Sequence, residues 1–228
     1  MRSVFDEQLE EMNQELTKLG MMCEYAIRKA CVSLLQHDLM MAKEVPDLVE
    51  QINEEDRKIE NLCLRLLLRQ QPVARDLRRI SSALKMITDM RRIGVQAADI
   101  AEIVTMDTIR QVDDNIGMHE MAENVMGMVS KSMDAFVHKD SNLARMVIAS
   151  DDKVDLCFDH VREALIREIQ NMNEKVDPSQ HKAYGTSILD LLMIAKYLER
   201  IGDHAVRIAG WVTFAITGTR EDKKESDE

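Results

Sequence analysis

Two pairs of carboxylates, Glu199 with Asp203 and Asp151 with Asp155, are the residues of this chain best placed to do chemistry. A spacing of four puts both acids of a pair on one face of a helix. One acid of each pair also sits on an apolar seam, Glu199 on the line Leu192, Ala195, Glu199, Gly202, Val206 and Ala209, and Asp151 on the line Leu143, Val147, Asp151, Val154, Phe158, Val161 and Leu165. A carboxylate on a buried line is costly unless something pairs with it. Four such acids on two packed helices repel one another, and a divalent or trivalent cation relieves that repulsion. Hard oxygen donors suit iron, manganese or magnesium, and zinc is also accommodated. The competing arrangement leaves the acids in solvent or paired with Arg162, Arg200 and Arg207, because exposed acids one turn apart repel by only about 0.2–0.5 kcal/mol. Their place on the seam favours the metal.

Weaker candidates surround them. His204 follows Asp203 and is a possible ligand by proximity alone. Cys157 and His160 lie three apart, without the further Cys or His that a zinc site needs. Asp159 and Glu163 continue the acidic stripe at steps of four. The Glu-x-x-His signature of di-iron bundles is absent, as are a Gly-rich phosphate loop, a nucleophile elbow and a triad.

Long helices must position these acids. From Phe5 the apolar residues recur at Leu9, Met12, Leu16, Leu19, Cys23, Ala26, Ala30 and Leu34, a heptad-like stripe that predicts a first long helix. Asp38 and Pro46 bracket the turn into a second, with Val49, Ile52, Asp56, Ile59, Cys63 and Leu66 on its seam. Gln70-Gln71-Pro72 interrupts the pattern, and a third helix follows through Val73, Leu77, Ile80, Leu84, Ile87, Arg91, Gly94, Ala98 and Ala101. Asp113 to Gly117 is the clearest break between halves. A fourth helix carries Met118, Met121, Val125, Met128 and Phe136; a fifth carries Asp151; a turn over 171–185 precedes the sixth, which carries Glu199.

The halves repeat one another. Met90–Ala101 and Leu198–Ala209 agree at six of twelve positions at an offset of 108, and Asp38–Val45 matches Asp140–Val147 at an offset of 102. The second seam then predicts an extra heptad near Pro46, so that Asp56 and Glu60 answer to Asp151 and Asp155. Against Glu199 and Asp203 the first copy has Arg91 and Val95, and Arg91 is predicted to take the cation's place in an ion pair with Asp56. The expected architecture is all-α: two pseudo-symmetric three-helix bundles packed side by side, six long helices in all. Residues 1–112 form the first repeat and 113–218 the second, with a polar, disordered acidic tail over 219–228.

Composition sets outer bounds. Gly and Pro together are scarce, aromatics make up 4% and Met numbers 17, which suits helical seams rather than pleated sheet. A net charge of −11 argues against a nucleic-acid partner. Cys23, Cys31, Cys63 and Cys157 are scattered and read as buried thiols of a reducing compartment. With neither a signal-like N-terminus nor a membrane span, the expected location is cytoplasmic.

Gln71-Pro-Val-Ala-Arg-Asp-Leu-Arg-Arg79, the two Arg-Ile-Gly copies and the paired Asp-x-x-x-acid segments together resemble the PhoU family over about residues 5 to 215. The resemblance implies two three-helix bundles and a cytoplasmic, non-enzymatic regulator. It would restrain phosphate uptake and phosphate-starvation signalling by docking the ATPase of a phosphate ABC transporter and a sensor histidine kinase, as a homodimer that reaches the membrane only through its partners. It further implies iron or zinc on Asp151, Asp155, Glu199 and Asp203. Two other functions fit the same acids: a metal-dependent hydrolytic enzyme, and a metal-free helical adaptor.

Overall fold

The first long stripe folds as α1, Arg2–Gln36, with Met12, Leu16, Leu19, Cys23 and Ala26 fully buried along its length. The computed structural model describes residues 2–70, 72–109 and 114–222, and the chain continues from α1 through α2 (Leu39–Lys43), α3 (Val45–Gln70) and α4 (Ala74–Thr105). A 3-10 turn at Asp114–Ile116 leads into α5 (Met118–His138), α6 (Ser141–Ala149), α7 (Asp151–Gln170), α8 (Met172–Lys175), a second 3-10 turn at Pro178–Gln180, and α9 (His181–Thr217). No strand occurs among the described residues. Six of these helices are long, as the seams predict: α1, α3 and α4 pack together, and so do α5, α7 and α9.

The two units meet chiefly through α4 and α9, the most extensive helix pair in the molecule. Asp89 faces His204 and Thr108 faces Asp190, so the two helices run antiparallel, as a pseudo-two-fold axis between them requires. Each is therefore buried on two sides. Ile80, Ala83, Met86, Met90, Ile93, Ala97 and Ile100 are all buried on α4, far more than one stripe accounts for, whereas Val73 and Leu77 at the start of the predicted seam are exposed.

Local chemistry sets the turns, and it repeats. His37 and Lys139 each adopt a left-handed backbone, and the next residue, Asp38 or Asp140, caps a short helix by accepting from the amides two and three residues on. The single predicted fifth helix is in fact two, because Ser150 interrupts it; its hydroxyl donates to Met146 O at 2.7 Å. The sixth helix starts at His181, so Gly185 lies inside it rather than in the preceding turn.

The tail also departs from expectation. Residues 219–222 fold back along α9 instead of leaving the body: Arg145 pairs with Glu221 at 2.9 Å, and the Arg220 guanidinium lies 4.3 Å from the Trp211 ring centre. Residues 223–228 lie outside the described ones. Gly210 makes the fold-back possible, since a Cβ there would stand 2.6 Å from the Glu221 carbonyl oxygen. Gly210→Ala is thus expected to lift residues 219–222 off α9, read as faster tryptic cleavage after Arg220 with the bundle otherwise intact.

All four cysteines are free and buried. Burial pushes the Cys31 and Cys63 thiols up to about 12, so they are packing groups and not nucleophiles. No helix among the described residues is long and apolar enough to cross a membrane.

Candidate metal centre

α7 and α9 carry the four predicted ligands, and Asp151 and Glu199 lie within electrostatic reach of Asp203. Asp151 opens α7 and is only 5% exposed. Its place in the first turn is favourable for an acid, because unpaired amides there carry partial positive charge. Glu199 and Asp203 occupy successive turns of α9, and the Gly202 backbone lies against Val154, a Cβ there standing 3.4 Å from its methyl, which draws the two helices close. Burial first, then the charges of Asp151 and Glu199, push the Asp203 carboxyl above the usual carboxylate range, while Arg207 and His204 oppose the shift. Asp155 sits half-buried on the next turn of α7 and is not among the charges acting on Asp203.

In donor type and net charge Asp151, Glu199 and Asp203 suit a hard cation. Their geometry is less complete. No group of three or more His, Cys, Asp or Glu side chains among the described residues is arranged to hold a metal ion. Glu199 instead has the Lys196 ammonium as its counter-ion, and Lys196 also lies over the Phe158 ring.

The first repeat corrects the predicted correspondence. Gly94 packs on Ile52 as Gly202 packs on Val154, and Lys58 meets Glu15 as His160 meets Gly117. These contacts carry the offset of 102 unbroken through α3 and α7, so no extra heptad exists. The residues answering to Asp151 and Asp155 are Val49 and Asn53, not Asp56 and Glu60. With Arg91 and Val95 on α4, the first copy has none of the four acids. Asp56 does meet Arg91, Oδ2 to Nε 4.0 Å, as predicted. Burial raises the Asp56 carboxyl and the Arg91 charge partly offsets that.

One charged group on the repeat interface has no counterpart among the predicted ligands. Asp89 on α4 is 8% exposed and accepts from His204 Nδ1 at 2.9 Å, with Arg207 Nη1 at 3.9 Å. A carboxylate can only accept, so Nδ1 carries the proton. His204 is therefore an interface residue held by α4, not a ligand by default. The symmetry-related positions are Gln96 and Tyr197, where Gln96 Oε1 is buried and has no hydrogen-bond partner among the described residues.

The PhoU domain model matches residues 16–104 and 118–212. The chain belongs to the PhoU family. It is similar to a phosphate-specific transport system accessory protein PhoU homolog of Clostridium acetobutylicum, 31% identical over 97% of this chain and 98% of that one. A homolog so named from Pseudomonas aeruginosa is 32% identical over 94% and 86% of the two chains. The crystal structure of PhoU from Pseudomonas aeruginosa superposes with a TM-score of 0.85 at 30% identity, covering 94% of this chain and 100% of that one. PhoU from Streptococcus pneumoniae, 24% identical, shares the fold at a TM-score of 0.80, over 96% of this chain and 99% of that one.

Proposed function

We propose that this PhoU-family chain is a non-enzymatic negative regulator of phosphate uptake and of the phosphate-starvation response. It acts in the cytoplasm as a homodimer, docking the ATPase of a phosphate ABC transporter and a sensor histidine kinase. The observation that carries this is similarity along nearly the whole chain to proteins named as accessory to phosphate-specific transport. Exposed apolar side chains on the outer helices are consistent with docking: Leu68 on α3 is 83% exposed and Leu156 on α7 is 69% exposed.

A cation belongs to the proposal. Asp151, Glu199 and Asp203 would hold it, with Asp155 one turn away, and iron or zinc comes first in the proposal, manganese or magnesium next. When bound it supplies charge neutralisation at the α7–α9 contact. Asp203 and Asp151 present oxygens from two helices, and Lys196 must release Glu199 for that residue to contribute. A second reading, a metal-free helical adaptor, is favoured by the Lys196–Glu199 pair, which already neutralises one acid.

Deleting the gene tests the regulatory reading. The expected result is high alkaline phosphatase reporter activity and raised phosphate uptake in phosphate-replete medium, both restored to the repressed level by the intact chain. A reporter that stays repressed in the deletion strain refutes negative regulation.

A further inference from the structure

A cavity of about 520 Å³ opens where α1, the start of α4, the end of α5 and the end of α9 meet. Its volume lies within the range of about 300–1,000 Å³ typical of small-molecule sites. Arg75 and Arg79, one turn apart on α4, and Lys139, the left-handed cap of α5, supply positive charge from two sides. Among the described residues Glu10 on α1 is the one acid lining it, and its carboxylate accepts from Asn13 Nδ2 at 3.4 Å. Apolar lining comes from Phe136, Val212 and Ile216, while Asn13 and Gln14 add amides.

The charge at this end is not required by the helix packing. The pseudo-two-fold places Ala183 and Ser187 of α9 where α4 has Arg75 and Arg79, and His37 where α5 ends in Lys139. Both repeats therefore close their helices with or without these cations. At the other end His37 is engaged by Asp107 at 3.2 Å, whereas none of the ion pairs among the described residues engages Arg75, Arg79 or Lys139. Three uncommitted cations against one carboxylate, in a chain of net charge −11, form a local reversal of sign around a cavity with an apolar wall.

We infer that this cavity binds a nucleoside phosphate, its phosphates on Arg75, Arg79 and Lys139 and its base against Phe136, Val212 and Ile216. Guanidinium groups pair with phosphate oxygens through two parallel hydrogen bonds, and an aromatic body suits the apolar lining of the same cavity. Inorganic phosphate would use the cations and leave the apolar wall uncovered, so it binds more weakly.

Isothermal titration of the full-length purified chain with ATP, AMP and inorganic phosphate tests this, alongside Arg75→Ala/Arg79→Ala and the cavity-filling variant Ala215→Phe. ATP is expected to bind with one site per chain, at least about tenfold tighter than inorganic phosphate, and to weaken as salt screens the cations. Either variant should lower ATP affinity at least about tenfold. Circular dichroism checks that each is folded, and Ala215→Phe keeps all three cations should the arginine pair prove unfolded. No ATP or AMP binding up to millimolar concentration overturns the inference, as does binding that survives Ala215→Phe, or inorganic phosphate binding as tightly as ATP.

Discussion

Asp89→Ala is expected to destabilise the protein by about 3 kcal/mol, the upper end of the range for losing a hydrogen bond to a charged acceptor and leaving its buried donor unpaired. For a chain of this size that corresponds to a loss of roughly 6–12 °C in melting temperature by calorimetry. The cost arises because His204 loses the carboxylate its Nδ1–H donates to, in a site that water reaches poorly, while Arg207 loses a nearby counter-charge. Asp89→Asn separates the two contributions: it keeps an acceptor for Nδ1–H but no charge, and should cost about 1–2 kcal/mol, as for loss of a charge-assisted hydrogen bond. Because the pair spans α4 and α9, the double variant with His204→Ala should be non-additive by at least about 1 kcal/mol. Independent, additive effects would mean the two residues do not interact across the repeats. An Asp89→Ala protein as stable as the parent would show that solvent compensates the pair.

The six long helices were legible because each carries a continuous apolar stripe, and Asp38 and Asp140 announced their turns by residue type alone. Register between the repeats was not legible, for a physical reason. A heptad-periodic seam shifted by seven residues still presents apolar groups to the core, so offsets of 95 and 102 between α3 and α7 place similar side chains at buried positions. Only contacts distinguish them, such as Ile52 on Gly94 against Val154 on Gly202. Choosing the wrong heptad paired Asp56 with Asp151 and gave the first repeat two acids that its equivalent positions lack. The Asp56–Arg91 pair could nonetheless be foreseen, since both residues interrupt seams of adjacent helices. Asp89 escaped notice for the opposite reason: it lies off the main stripe of α4, on the second buried face that exists only because α9 packs there. Its partner is 115 residues away, and no spacing rule within one helix connects them.

Asp203→Asn is expected to change sign with metal. In protein stripped by a chelator, the raised Asp203 carboxyl is a liability at neutral pH. The folded state binds that proton more tightly than the unfolded state does, so this group favours folding below its ordinary range, and the benefit disappears as pH rises through the raised value. Removing the charge then relieves repulsion from Asp151 and Glu199. Because Asp203 is only half-buried, solvent screening limits the gain to about 0.5 kcal/mol at pH 7, fading as the pH is lowered through that window. Adding iron(II) or zinc to the parent at a hundredfold over its dissociation constant should stabilise it by about 2.7 kcal/mol, or about 5–10 °C. Asp203→Asn should lose that increment, with elemental analysis showing the bound metal gone as well; Asp151→Ala and Glu199→Ala should lose it too, whereas Asp56→Ala should not. A parent that neither retains metal after reconstitution nor gains stability from it would leave Lys196 as the permanent counter-ion of Glu199. In that case the stabilising effect of Asp203→Asn at neutral pH should be the same with and without added metal, because the repulsion it relieves belongs to the fold and not to an emptied site.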